Sequence, residues 1–416
     1  MTLNKPILLL GCVLLFLQTL AQQNNIRFKR ITINEGLSLS SVYCIFQDSK
    51  GFMWFGTEDG LNRYDGKNFK IYRSTPENEN TISHKWIEQI HEDSNGKLWF
   101  GSRGGLTQYD PVKEKFTQFR GIGNSKKLVN DTITTIFECE NRKLWIGTLK
   151  GINCIDLENL QMLEFNNSKR IQDRVNCFHQ LVNGNILIGS QSGLYHFNSA
   201  NNKFKKIKFS DNVLSVQCIT KFRDNFLIGS NNGVYTLDSE LKILEQALED
   251  TNIENILIDS LATIWISTDN ALLRKGDKVL EYSKAVKSFE ATNSLSINTN
   301  KPIIYSNSGD IWFGTYGSGV FRFDDKKHHY QNNSADPQSL SENSINCIYE
   351  DKNGLIWIGT FGAGISIYDP QAHKFNLIKN NPLSENSLPS NFIWSVWEDN
   401  QNNVWIGTNN KGLFSS

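Results

Sequence analysis

One tetrapeptide keeps returning in this chain and confines it to a narrow set of folds. A large apolar residue, a β-branched or aromatic residue, Gly, then Thr or Ser occurs as Trp54-Phe55-Gly56-Thr57, Trp99-Phe100-Gly101-Ser102, Trp145-Ile146-Gly147-Thr148 and Leu187-Ile188-Gly189-Ser190. It occurs again as Leu227-Ile228-Gly229-Ser230, Trp312-Phe313-Gly314-Thr315, Trp357-Ile358-Gly359-Thr360 and Trp405-Ile406-Gly407-Thr408. Trp265-Ile266-Ser267-Thr268 is a degenerate ninth copy. The steps between copies are 45, 46, 42, 40, 38, 47, 45 and 48 residues. Strand-like segments repeating every 40–50 residues or so are the pattern of β-propeller blades.

Each repeat reads as four short strands. Between Ser41 and Tyr72, Val42-Tyr43-Cys44-Ile45-Phe46 is β-branched and aromatic, as strands are. Asp48-Ser49-Lys50-Gly51 is a turn, since Asp bonds its own backbone and Gly accepts positive φ. Phe52 to Thr57 is the second strand, Glu58-Asp59-Gly60 a tight turn, Leu61 to Asp65 the third strand and Phe69 to Tyr72 the fourth. The strand Gly is expected to permit close backbone approach, and the Trp to fill space between blades. The sixth repeat is weak, because Ser267 replaces Gly and Ala271-Leu272-Leu273 replaces the usual Gly-Leu turn, so a distorted or specialised blade is expected there.

The chain has 416 residues, with 43 Lys+Arg balanced by 43 Asp+Glu. No basic excess points to nucleic acid. Lys5 followed by the apolar run Ile7–Leu17 and by Thr19-Leu20-Ala21 reads as a secretory signal, with an uncleaved anchor as the alternative. Leu9-Leu10-Gly11-Cys12 is discounted as a lipoprotein box because the apolar run continues past it. The mature chain is expected to be exported and soluble. Cys44, Cys177 and Cys347 each lie 12 residues before a strand Gly, and Cys218 lies 11 before, so they hold equivalent places in different blades. Such places are too far apart for bridging, and the cysteines are expected to be small buried hydrophobes.

Seven repeats run from Ser41 to about Tyr330. Arg27 to Thr32 resembles an outer strand and is expected to complete the seventh blade. Ala335 to Ser341 is a polar segment suited to a domain boundary. The expected fold is therefore all-β: a β-propeller of four-stranded antiparallel blades, with one seven-bladed ring plus the start of a second propeller. The expected boundaries are 1–21 for the signal peptide, 22–334 for the ring, and 335–416 for the first two repeats of the incomplete second propeller. A single ring of eight or nine blades is the structural alternative.

The opening Asn34-Glu35-Gly36-Leu37-Ser38, with Gln47-Asp48, Gly51 to Thr57 and Asp59-Gly60-Leu61-Asn62-Arg63-Tyr64-Asp65, resembles the two-component regulator propeller family. That resemblance implies the periplasmic sensor region of a hybrid histidine kinase of Bacteroidetes type, built from two seven-bladed propellers. A membrane segment and a cytoplasmic output would follow. It also implies a carbohydrate breakdown product as ligand. A homodimer formed through the full-length receptor is a further expectation. Kinase activity would belong to a longer parent in the inner membrane, for this chain carries no kinase histidine box or ATP-lid glycine motif.

The residues themselves spell out no chemistry. There is no Gly-x-Ser-x-Gly elbow and no zinc-spaced Cys/His cluster, so no catalytic residue, metal or cofactor is expected. The adjacent His328 and His329 should face opposite sides of a strand. Binding is the better expectation. The turn between strands two and three and the link into the next blade share one face of a propeller. Glu58, Arg103, Lys150, Tyr316 and Phe361 stand in those turns, and His84 and Trp86 in one link. Aromatic rings beside hydrogen-bonding groups suit a sugar ring. Three functions stay open: a periplasmic sensor of an oligosaccharide, an exported propeller enzyme such as a lyase or glycosidase, and a passive protein-interaction platform.

Overall fold

In the computed structural model, residues 26–75, 77–121, 127–165, 171–209, 214–269, 271–274, 277–281, 302–372, 380, 387–401 and 403–415 are described. The signal expected at 1–21 lies outside them. The strands form seven four-stranded and two three-stranded antiparallel sheets among these residues. The chain divides into two compact units, Met1–Tyr368 and Asp369–Ser416.

Eight of the sheets belong to the first unit. The repeat from Val42 sets the pattern, with strands Val42–Gln47, Met53–Thr57, Gly60–Tyr64 and Phe69–Tyr72 paired in order. The first strand of every sheet touches the first strand of the next, and that of the eighth, Ile345–Glu350, touches Val42–Gln47. The first strands are thus the inner ones, and their contacts close a cycle.

The closing strand is not where the sequence placed it. Phe28–Ile31 pairs with Ile365–Tyr368 of the eighth repeat, with Lys29 opposite Ile367, instead of completing the seventh. The seventh repeat has its own outer strand, Lys327–Tyr330, so its edge is already occupied. The segment expected to be a domain boundary holds the closing strand in place. Phe28 N donates to Gln338 O at 2.7 Å, and Arg30 Nη2 donates to Ser339 O at 2.9 Å and Leu340 O at 3.1 Å. Phe28 also packs between the rings of Tyr330 and Tyr368. The first unit accordingly runs on to Tyr368, past the expected boundary at 334.

The repeat residues explain the packing. Trp54, Trp99 and Trp312 are fully buried. Several indoles are fixed by the first-turn Asp six residues earlier: Trp54 Nε1 donates to Asp48 at 2.8 Å, Trp99 to Asp93 at 2.7 Å and Trp357 to Asp351 at 2.9 Å. The same carboxylate accepts backbone N–H groups, as Asp48 does from Lys50 and Phe52, so one side chain holds turn and strand together. Cys139 and Ser306 stand in the Asp place in the third and seventh sheets, and the Trp145 and Trp312 indole nitrogens there are buried without a hydrogen-bond partner.

The strand Gly makes room for side chains. A Cβ at Gly189 would lie 2.5 Å from Cys177 Sγ and 2.7 Å from Val216 Cγ1, the latter on the next inner strand. Gly56, Gly229 and Gly359 face Cys44, Cys218 and Cys347 in the same way. All six described cysteines are free. Burial pushes the Cys218 and Cys347 thiols up to about 12. The sixth repeat is still a four-stranded sheet, with a register shift between Leu272 and Leu273 where its third and fourth strands pair. Ser267 is buried opposite Asn255, and Thr268 Oγ1 still accepts from Ala271 N at 2.9 Å, so the hydroxyl clamp of the turn survives without glycine.

Candidate functional site

The geometry of one face follows from three positions that recur in each sheet. One is the link residue just before the inner strand. Another is the residue just after the strand-two Thr or Ser. Their backbones meet, as Arg103 N donates to Trp86 O, Gln191 N to Arg174 O and Phe361 N to Ser344 O. The third is the second residue of the inner strand. The register shifts there in sheet after sheet, between Val42 and Cys44, Ile87 and Gln89, Ile133 and Thr135, and Ile345 and Cys347. Such a bulge re-aims a side chain out of the strand's alternation.

Five large residues that the first two sheets carry at these positions form one connected cluster. Arg103 donates from Nε (3.1 Å) and Nη2 (3.0 Å) to a single oxygen of Glu88, Oε1. Its guanidinium carbon lies 3.3 Å from the Trp86 ring centroid, a close cation–π contact. The Trp86 ring also meets Tyr43 at 5.4 Å between centroids, and the Tyr43 hydroxyl donates to Glu58 Oε1. His84 Nδ1 accepts from Trp86 N at 3.1 Å, which fixes the link. The structure thus brings together four of the expected residues, Glu58, His84, Trp86 and Arg103, and adds Tyr43 and Glu88.

Tyr316 and Phe361 form a second group, edge to face at 5.9 Å. Ser41, the link residue of the first sheet, donates to Phe361 O. Phe361 therefore adjoins the sheet that carries Tyr43 and Glu58. Lys150 stands apart. Leu149 occupies the place equivalent to Glu58 and Arg103, since its N donates to Thr132 O, and exposed Lys150 lies one residue further on.

Electrostatics set this face off from an ordinary surface. Glu88 is 1 % exposed. Burial raises its carboxyl to about 7 against the opposing pull of Arg103. Burial lowers His84, as do the charges of Lys85, Arg103 and Arg120. Arg174, from the fourth sheet, is lowered by burial, and Glu88 works against that shift. The second and fourth sheets are not neighbours, so this interaction spans the middle of the face. Tyr43, Glu88 and Arg174 were missed from sequence. The available signal was polar or ionisable residues at the second inner-strand position: Tyr43, Glu88, Thr134, Asn176, Gln217, Glu254 and Asn346.

Among the described residues, no group of three or more His, Cys, Asp and Glu could hold a metal, and no helix is long and apolar enough to cross a membrane. His328 faces Asp324 at 3.0 Å, whereas His329 stacks on Phe321 at 4.1 Å, on separate partners as their adjacency required.

Comparison with known proteins gives a family for the repeat. The two-component regulator propeller model matches residues 36–59, 81–104, 339–362 and 387–410. Over 63 residues the chain is 54 % identical to histidine kinase P4 of Formosa agariphila, covering 15 % of this chain and 5 % of that protein. The extracellular domain of a hybrid two-component system from B. thetaiotaomicron is similar at 21 % identity and TM-score 0.48, over 94 % of this chain and 58 % of that one. A streptogramin B lyase is similar at 13 % identity and TM-score 0.49, over 82 % of this chain and 98 % of its own. The chain therefore spans a little over half of that solved extracellular domain and a small fraction of the kinase. Four copies of its repeat match the two-component regulator propeller model, and one stretch of the chain is similar to a histidine kinase.

Proposed function

We propose that this chain is the periplasmic ligand-sensing propeller region of a two-component receptor, and that its ligand is an oligosaccharide. The observation that carries this reading is the cluster built by the first two sheets, in which Tyr43, Glu58, Trp86, Glu88 and Arg103 join two aromatic rings to three charged side chains. Aromatic rings beside charged hydrogen-bonding groups match a sugar's apolar ring face and its hydroxyls. The neighbouring Tyr316 and Phe361 extend the aromatic surface. Signalling requires the ligand to favour one of two receptor states, which the membrane-linked output of the longer protein reads. A homodimer of that receptor is the natural relay.

Calorimetric titration with a panel of neutral oligosaccharides tests the face. Trp86→Ala and Arg103→Ala should each weaken binding by about tenfold or more, the scale of a loss of about 1.4 kcal/mol at an interface anchor. Affinity unchanged in both variants would place the ligand elsewhere.

A further inference from the structure

The second inner-strand position does a structural job in three sheets. Thr134 Oγ1 donates to Val175 O at 2.5 Å, Asn176 Nδ2 to Val216 O at 2.8 Å and Asn346 Nδ2 to Val42 O at 3.1 Å. Each bond ties one inner strand to the first residue of the next. Ile133, the first residue of the next inner strand, is the equivalent position for Glu88. An ionised carboxylate has no proton to offer a carbonyl there.

Glu88 gains little in exchange. Both Arg103 bonds go to Oε1, and Oε2 is buried with no hydrogen-bond partner. A buried anionic oxygen without a donor is unfavourable. Trp86 Nε1, in the same cluster, is a buried donor without an acceptor. Above pH 7, where Glu88 is ionised, Oε2 is a pure acceptor, and Trp86 Nε1 is a pure donor. A hydroxyl group satisfies both, because it donates one bond and accepts others. A protonated amine could serve Glu88 but not Trp86.

Building on the sensor reading of this face, we infer that Glu88 and Trp86 form a hydroxyl subsite that determines ligand specificity. A ligand hydroxyl donates to Glu88 Oε2 and accepts from Trp86 Nε1. Arg103, stacked on Trp86 and bonded to Oε1, holds the two side chains of the subsite together.

Thermal melting of the full chain at pH 8 tests this, comparing wild type, Glu88→Gln and Trp86→Phe without sugar and with maltose, cellobiose, xylobiose or laminaribiose. Glutamine keeps an acceptor for Arg103 and supplies the donor that Thr134, Asn176 and Asn346 have at this position. Glu88→Gln without sugar should therefore melt higher than wild type by about 2 °C or more. At least one disaccharide should raise the melting temperature of wild type, and both variants should lose that rise. A Glu88→Gln protein that melts at or below wild type would make the carboxylate a structural ion-pair partner and overturn the assignment. Wild type unmoved by all four sugars would overturn the hydroxyl subsite. A sugar that stabilises all three proteins alike would also overturn it, while leaving the wider sensor reading to the Trp86→Ala and Arg103→Ala titrations.

Discussion

Glu88 sits 1 % exposed with Arg103, Arg174 and Glu58 as its charged neighbours. Its folded carboxyl is raised to about 7 from an ordinary 4.5, so the folded state holds this proton more tightly than the unfolded chain does. The resulting stability is complete below about pH 4.5 and is lost as pH rises through 7. Glu88→Gln does not titrate. Its stability relative to wild type should thus increase from pH 5 to pH 8, with a full amplitude of about 3 kcal/mol. Chemical denaturation of both proteins across that range measures it, and a constant difference would show that Glu88 is not buried as described. Residue roles that depend on chain neighbours could be read in the sequence. The turn Asp and Gly residues are of this kind, as is the separation of His328 from His329. The indole bond from Trp99 to Asp93 was equally present as a fixed spacing of six residues, but the turn role of Asp hid its second duty. Tyr43 and Glu88 were hidden for another reason: the bulge breaks the alternation by which facing is inferred.

Among elements, the four-stranded repeat was legible because hairpin turns and strand propensity are local. The contact between blades was legible only in part. The sequence assigned the strand Gly to close backbone approach; at Gly56 the Ile87 carbonyl oxygen does lie 2.6 Å from where a Cβ would stand, whereas at Gly189 and Gly229 the space is taken by a cysteine on the paired strand and a β-branched residue from the next sheet. The Gly and the Cys are therefore one packing unit. Gly189→Ala should destabilise the protein by about 1–3 kcal/mol through overpacking. Adding Cys177→Ala should recover part of that loss, since the Sγ at 2.5 Å is removed while Val216 at 2.7 Å remains. A double-mutant cycle measures the coupling, expected at about 0.5 kcal/mol or more. Purely additive effects would refute a shared space. The sixth repeat makes the same point from the other side. Its Ser267 looked like a defect, yet its second strand still pairs with the first through Asn255 opposite Ser267, and Thr268 still clamps the turn.

For the first unit as a whole, an all-β propeller and a closing outer strand near its start were legible, and the repeat that accepts that strand was not. Which repeat accepts Phe28–Ile31 depends on which outer edge is open, and that depends on whether Lys327–Tyr330 pairs within its own sheet. No local pattern encodes that choice. Of the candidate site, Glu58, His84, Trp86 and Arg103 were found together because repeat alignment places the links and turns on one face. Lys150 was grouped with them through a one-residue difference in turn alignment. Deleting the chain through Ile31 should leave Ile365–Tyr368 as an open, apolar edge. The deleted protein should melt lower and self-associate by size-exclusion chromatography. A monomer with unchanged melting would show that the pairing is dispensable.

The closing strand also imposes an order in time. Arg30 meets Ser339 across 309 residues of a 416-residue chain. Loop closure over such a distance is entropically costly and slow to form. As the polypeptide emerges from its N-terminus, the first strand made must wait, unpaired, until nearly the whole first unit has followed it. A ring closed in this way can therefore form only after all of its repeats have been made.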